Sequence, residues 1–404
     1  MWRSFALTAF LLGGLSTAVP ALADRVYDPG ITDTEITIGN TMAYSGPVSA
    51  AGIEGRVMSA YFDMINEQGG INGRKIKFLS YDDGFSPPKT VEQTRKLVEQ
   101  DHVALMFATM GTAPSSAIRQ YLNTKKVPQL FVVSTASKWN DPKGFPWSMP
   151  FPWSPNYAAE AAAQVRYVLK DKPDARFAVL YENDDAGKEY LSGTKAALGA
   201  NADKALVAVE SFEVTDPSVD SQIISLSASK ADVFLNYSVT PRACSQAIRE
   251  GYDIGWLPIR MLTSACTNPD TVLKPAGLEK AKGMLSLIAF KQATEASRSD
   301  PEMAKYLAFM QARLPEAEPR TLYGVYAYSA AQAMIVVLQQ CGDDVSRANL
   351  MRQATNLHDV PLPLLLPGIK MNTSPEDFAP IQSAYMARFD GETWVQFGDL
   401  ISAK

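Results

Sequence analysis

The chain has 404 residues, a formal net charge of -5 at pH 7 and 46% hydrophobic residues, which is an ordinary globular composition. This length exceeds what one typical hydrophobic core supports, so we expect two domains. The mildly acidic balance and the lack of a Lys/Arg cluster argue against nucleic acid as a partner.

The beginning of the chain, residues 1–23, has the pattern of a cleaved secretory signal peptide. Arg3 precedes an apolar run too short to span a bilayer, and Ala21 and Ala23 suit cleavage before Asp24. No lipid-attachment cysteine follows, and no later stretch is a convincing membrane span. We therefore expect a soluble, exported mature chain.

Strand patterns alternate with helix patterns from Glu35 onward, which indicates βαβ units and parallel sheets. Strands are predicted at 36–41, 75–81, 104–108 and 129–133 and, after a Pro- and Trp-rich link, at 177–181, 205–210, 233–237 and 259–262. Late helices are predicted at 301–313, 321–340 and 346–355, and a final hairpin turns at Asp390-Gly391. The pattern predicts an α/β protein with two sheets of one type.

The junction between the predicted strand 104–108 and the following helix is the first candidate binding site. Thr109, Gly111 and Thr112 form a small-residue loop in which Gly111 allows the backbone to approach a ligand closely. The first turn of the next helix tolerates Pro114 and offers N–H groups to an anion. Ligands bind at the carboxyl ends of parallel strands, although an ordinary strand-to-helix loop explains this segment equally well.

Three cysteines are present, and two of them fall in the same predicted domain. Cys244 and Cys266 would follow two successive parallel strands, so an exported protein could oxidise them to a disulfide. Cys341 stands apart. Three packed thiols are the alternative, because cysteine is among the most buried residue types.

Residues for enzyme chemistry are scarce. The two histidines are His102 and His358, and the sequence has no HExxH, CxxC, GxSxG, Walker or dinucleotide fingerprint. An active site would require one of these histidines in the cleft, whereas surface positions suit both better. We therefore expect a binding protein rather than an enzyme, with no metal site and no cofactor.

The chain resembles the leucine/isoleucine/valine-binding protein family of periplasmic solute receptors in three segments: AYSGPVSAAG, NEQGGINGRKIKFLSYDD and TMGTAPSS. Two more, STASKWNDPKGFPWSMPFPWSP and LPGIKMNTSPEDFAPIQ, resemble a subgroup whose ligands include aromatic and other organic acids. The resemblance implies two Rossmann-like lobes joined by a three-strand hinge. It places lobe 1 at 24–149 and 286–368, and lobe 2 at 150–285 and 369–404.

The resemblance also implies a pocket. Relatives hold a ligand carboxylate with two lobe-one loops that match Gly111-Thr112 and the loop formed by Ser134, Thr135 and Ala136. They hold the α-ammonium with an acidic residue, where this chain has Ala265. Because a buried ammonium without a counter-charge is costly, a free amino acid is disfavoured unless Asp184 or Asp185 supplies the charge.

Arg242 is a further candidate for the pocket, since it falls in the first turn of the helix that begins after Thr240. Its guanidinium could hold a ligand carboxylate bidentately, with a solvated rim arginine as the alternative. Tyr44 and Tyr181 are candidates for stacking or hydroxyl contacts, although each could pack against its own loop. We interpret Trp153 as hinge packing.

The resemblance implies the periplasmic substrate-binding component of an ABC importer, and together with the residues above it predicts closure by a hinge on a small aromatic or aliphatic carboxylate. A branched-chain or other amino acid is the alternative ligand, and a ligand-sensing receptor or regulator of the same fold is the alternative role. The expected partner is an inner-membrane permease, and the expected oligomeric state is a monomer that does not insert into the membrane.

Overall fold

Two separate β-sheets organise the computed structural model, which describes residues 1–2 and 27–402. Each sheet is the centre of one α/β lobe. Residues 3–23 of the predicted signal peptide lie outside the described residues.

The first sheet has five parallel strands. They are β1 (Glu35–Met42), β2 (Lys75–Asp82), β3 (Leu105–Phe107), β4 (Gln129–Val132) and β5 (Ser148–Pro150). They lie in the order β2-β1-β3-β4-β5. The helices between them are α1 (Ile53–Glu67), α2 (Pro87–Glu99) and α3 (Thr112–Lys125), with short 3-10 turns at Ser49–Gly52 and Ser137–Trp139. Because helices cover both faces of a parallel sheet, β3 and β4 are fully buried, and apart from Gln129 their residues are apolar. No strand was predicted at β5.

The second sheet has seven strands. They are β6 (Phe177–Glu182), β7 (Leu206–Phe212), β8 (Val233–Tyr237), β9 (Ile259–Leu262), β10 (Leu285–Ile288), β11 (Ser383–Phe389) and β12 (Trp394–Ser402). Their order is β12-β11-β10-β9-β8-β6-β7, with β11 antiparallel to both neighbours. The sequence patterns located β6, β8 and β9 closely and missed β10.

The helices of the second lobe are α4 (Tyr157–Asp171), α5 (Asp185–Leu198), α6 (Ala202–Ala205), α7 (Asp220–Ala228), α8 (Pro241–Asp253), α9 (Lys274–Ala276) and α10 (Leu278–Ala281). Short 3-10 turns lie at Gly199–Asn201, Ser264–Cys266 and Ala296–Ser299, and a π turn lies at Pro269–Leu273.

Three late helices follow: α11 (Pro301–Arg313), α12 (Leu322–Cys341) and α13 (Arg347–Ala354). They return the chain to the first lobe, where α12 packs against α1. Asn72 Nδ2 donates to Leu338 O at 3.2 Å, which ties the first lobe to α12. Among the described residues, α12 alone is long and apolar enough to cross a membrane, but 72% of its most apolar stretch is buried inside the protein. It is therefore a core helix of this lobe.

The chain passes between the lobes three times: after β5, after β10 and before β11. The lobe borders after residues 149, 285 and 368 stay a prediction. β10 pairs with β11 as far as Ile288, so the second sheet continues beyond the border predicted after residue 285.

The predicted C-terminal hairpin is present, with longer strands than expected. Asp390 Oδ1 accepts from the N–H groups of Glu392 and Thr393, both at 2.8 Å, and Asp390 N donates to Thr393 O at 3.0 Å. Gly391 has φ 110°, which explains the glycine at the tip.

Candidate functional site

A cavity lies between the two lobes, where the carboxyl ends of strands from both sheets meet. It has about 1020 Å³ of space free of protein atoms, part of it open to solvent. Its walls are mostly apolar, and six aromatic side chains contribute to them: Phe85, Trp153, Tyr157, Phe290, Tyr323 and Tyr326. Such a largely apolar cleft with few polar groups is typical of a small-molecule site.

Four of the predicted binding residues line this cavity: Gly111, Thr112, Asp184 and Ala265. Gly111 has φ 89°, and a Cβ placed on it would lie 2.3 Å from Phe85 Cε2, so both conformation and space demand glycine. Thr112 opens α3 and places its Oγ1 2.8 Å from Ser134 Oγ. The predicted strand-to-helix junction therefore does reach the cavity.

The Thr112 hydroxyl also joins the lobes, because it lies 3.2 Å from the hydroxyl of Tyr157 on α4. Burial raises the pKa of Tyr157 to about 12, so this phenol is neutral and can donate. Tyr157 was not predicted from the sequence as a binding residue; it lies between the two lobes at the carboxyl ends of the first sheet.

Four other first-lobe residues expected in the site lie beneath its surface. Thr109, Ser134, Thr135 and Ala136 are all buried, and none of them lines the cavity. Ser134 Oγ accepts from Ala136 N at 3.2 Å, within its own loop. These residues therefore pack behind the residues that line the cavity.

Arg242, Tyr44 and Tyr181 do not line the cavity. Arg242 Nη2 donates to the backbone O of Val214 at 3.1 Å, so this guanidinium is held by a neighbouring loop. The Tyr44 hydroxyl lies 2.6 Å from Ser80 Oγ inside its own lobe. Tyr181 packs half-buried against the core. The structure does not bring the expected carboxylate clamp to the cavity.

Glu54 and Asp184 are the charged residues that line the cavity, and no Lys, Arg or His among the described residues joins them. Glu54 lies in the first turn of α1, is 2% exposed, and leaves its Oε2 without a hydrogen-bond partner. Burial raises the pKa of Glu54 well above its ordinary value. Asp184 Oδ1 accepts from Gly187 N at 2.9 Å, so it caps α5, and burial raises its pKa as well.

Glu182 stands directly behind Asp184 at the end of β6. The Thr240 hydroxyl donates to Glu182 Oε2 at 2.7 Å, and Thr240 N does so at 3.2 Å. Burial, followed by the charge of Asp184, raises the pKa of Glu182 to about 7. The Thr240 side chain is therefore hydrogen-bonded to a buried carboxyl group and does not cap α8.

Glu160 organises a second buried polar network behind the cavity. Its Oε1 accepts from Ser264 N at 2.6 Å, and its Oε2 lies 2.7 Å from Ser264 Oγ and 2.9 Å from both Ser154 Oγ and Tyr190 OH. Trp153 Nε1 donates to the same Ser264 Oγ at 3.1 Å. Trp153 and Ser264 both line the cavity, which corrects the interpretation of Trp153 as hinge packing alone.

A disulfide joins Cys244 on α8 to Cys266, with Cα atoms 5.9 Å apart. It fixes the turn after β9 that brings Ser264 and Ala265 to the cavity. Cys341 is buried and unpaired.

His102 and His358 are exposed, and neither lines the cavity. Within the part of the chain that the structure describes, no group of three or more His, Cys, Asp or Glu side chains is arranged to hold a metal ion.

A family model described as periplasmic binding protein matches residues 35–393. A curated relative, the Leu/Ile/Val-binding protein BraC3 of Rhizobium johnstonii, is 29% identical over 196 residues, which is 48% of this chain and 49% of the relative. The match thus spans about half the length of that relative.

Solved structures share the fold across most of the chain. A branched chain amino acid ABC transporter protein of Thermus thermophilus, solved with bound valine, has a TM-score of 0.81 at 14% identity, covering 92% of this chain and 97% of that one. A solute binding protein of an ABC transporter from R. palustris, solved with benzoate, has a TM-score of 0.72 at 18% identity, covering 91% and 98%.

Proposed function

Because the chain belongs to the periplasmic binding protein family, we propose that it is the periplasmic substrate-binding component of an ABC importer and captures a small organic acid between its lobes. The family is a substrate-binding class. Delivery of the solute to an inner-membrane permease is part of the proposal.

The observation that carries this proposal is the position of the cavity. Gly111 and Thr112 reach it from the first lobe, and Val239 and Ser264 reach it from the second. A solute that contacts both lobes favours the closed arrangement by its differential affinity for that state. Asn268 Nδ2 donates to Thr321 Oγ1 at 3.0 Å beside the cavity, so this arrangement of the lobes already holds one hydrogen bond between them.

The chemistry of the walls supports an acid with an apolar body. The start of α3 offers first-turn N–H groups and the Thr112 hydroxyl, which suit a carboxylate without a lining cation. The aromatic and aliphatic walls suit the rest of the molecule. Valine and benzoate, the ligands named for the two solved relatives, both combine a carboxyl group with an apolar group.

The test is a thermal-shift screen of the mature chain against benzoates, hydroxycinnamates, short dicarboxylates and apolar amino acids. A ligand at 100 times its dissociation constant adds about 2.7 kcal/mol to the stability of the folded state, which raises Tm by several degrees.

The matched pair of variants is Thr112→Val and Thr124→Val, which lie at opposite ends of α3. Thr112→Val removes the hydroxyl that lines the cavity and is expected to weaken binding of a carboxylate. Thr124 is exposed and bonds to Gln120 O at 2.8 Å, so its variant serves as the control. A screen in which no carboxylate raises Tm would refute the proposal.

A further inference from the structure

Glu54 has a feature that the proposed function does not explain. It is a buried carboxyl group that lines the cavity, and its Oε2 has no hydrogen-bond partner. The helix dipole favours an acidic residue in the first turn of a helix, but it leaves Oε2 of Glu54 without a hydrogen-bond partner. An unpaired buried carboxyl group has a large desolvation cost, so its retention inside a binding cavity calls for a partner that arrives with the solute.

Among the residues that the structure describes, those that line the cavity offer Glu54 no counter-charge. On its own helix, the nearby cation Arg56 is exposed and faces Glu316 at 4.0 Å. The ionisable groups that face Glu54 from α12 are the phenols of Tyr323 and Tyr326, whose pKa values are raised mainly by burial and also by the Glu54 charge. Asp184, the other charged group at the cavity, has the same sign as Glu54.

The aromatic walls add a second reason to expect a cation. Tyr326 faces the Trp153 ring at a centroid distance of 5.9 Å and the Phe290 ring at 5.8 Å, and all three line the cavity with Glu54. Aromatic faces attract ammonium groups, most strongly where water is excluded. A carboxyl group and a wall of rings in the same cavity therefore match a protonated amine.

We propose that Glu54 binds a protonated amine of the solute and loses its own proton to the solvent when the solute binds. This inference rests on the proposed function, and it makes the solute an apolar acid that also carries an amine. In the empty cavity burial raises the pKa of Glu54 and so favours the protonated carboxyl group, and the arriving ammonium makes the carboxylate form favourable. The bond formed is Glu54 carboxylate to ammonium, and one proton passes to the buffer.

The test uses three probes that share one ring: L-phenylalanine, 3-phenylpropanoate, which lacks the amine, and 2-phenylethylamine, which lacks the carboxyl group. L-leucine and 4-methylpentanoate form a second pair. Titration calorimetry at pH 6, 7 and 8, in buffers of different ionisation enthalpy, measures affinity and the number of protons released.

The wild-type chain is expected to bind the amine-bearing acid at least tenfold more tightly than its deaminated partner, with proton release and with affinity that rises with pH. Glu54→Gln should abolish this preference and the proton release. Glu67→Gln, at an exposed site on the same helix, is the matched control. Circular dichroism checks that each variant is folded.

Each outcome decides between the two proposals. If the deaminated acids bind as well as or better than the amino acids, the inference on Glu54 is wrong while the proposed function stands. The same holds if the affinity of the amino acids falls as pH rises. If Glu54→Gln keeps the preference for the amine, the inference is again wrong. If no probe binds, the proposal of an apolar acid and the inference that rests on it both fail.

Discussion

Removal of the Glu160 carboxyl group is expected to destabilise the fold strongly, because this group is the shared acceptor of the network behind the cavity. Glu160→Ala deprives Ser264 N–H and Tyr190 O–H of their acceptor in a buried site. Each buried donor left unsatisfied costs about 1–3 kcal/mol, so the free energy of unfolding should fall by about 2–6 kcal/mol. The Ser154 hydroxyl adds less, since it also lies 2.9 Å from Pro155 O.

Glu160→Gln separates the hydrogen bonds from the shape of the side chain. The amide keeps one oxygen, which can still accept from Ser264 N–H, while its NH₂ group can donate to the hydroxyl oxygens nearby. We therefore expect a loss of about 1–2 kcal/mol, smaller than for alanine. Equilibrium urea unfolding followed by circular dichroism measures both losses.

Glu92→Ala is the matched control, since Glu92 is exposed on α2 and its replacement should change stability by less than about 0.5 kcal/mol. The reasoning is refuted if Glu160→Ala loses no more than this control. Equal losses for the alanine and glutamine variants would show that the second carboxyl oxygen, and not the volume of the side chain, is what Glu160 supplies, because glutamine keeps that volume.

Two further expectations concern stability. The disulfide closes a separation of 22 residues, so the free energy of unfolding of the double variant Cys244→Ser/Cys266→Ser should be lower by about 3 kcal/mol. A reductant should lower the Tm of the wild type but not the Tm of this variant. A wild-type Tm that does not change with reductant would contradict this. Because the folded-state pKa of Glu182 is raised from 4.5 to about 7, the folded state binds the proton more tightly, so the stability it contributes is present at low pH and is lost as pH rises through about 7. Unfolding between about pH 5 and 8 should show a smaller decline in Glu182→Gln than in the wild type, and an unchanged decline would assign it to other groups.

The fold could be predicted because its signals are local. Apolar runs of strand length bounded by helix patterns located β8 and β9 at 233–237 and 259–262, and the Asp390-Gly391 turn located the last hairpin. β10 was missed because its four residues sit in the passage between lobes, where no regular rhythm surrounds them. A strand this short is identified by its pairing with β11, which lies about a hundred residues later in the sequence.

The site could be predicted only where a local pattern carried it. The junction at Gly111 and Thr112 can be predicted from residues adjacent in the sequence, and it does line the cavity. Arg242 was a candidate ligand contact because its position in the sequence follows a strand. Its actual partner, the backbone oxygen of Val214, lies in a loop whose proximity to Arg242 cannot be seen in the sequence. Glu54 was missed for the same reason, since α12 covers it from a distant part of the chain.

The return of the chain to its first lobe has a consequence for the order in which the molecule can be assembled. Asn72 is bound to Leu338, 266 positions later, and Arg347 Nε donates to Ala104 O, 243 positions back. The first sheet therefore cannot complete its core until nearly the whole chain has emerged from the ribosome. Contacts of such long sequence separation form slowly, so the early half of the chain stays open for a long interval after its synthesis. A C-terminal truncation before α12 would consequently leave the first lobe incomplete.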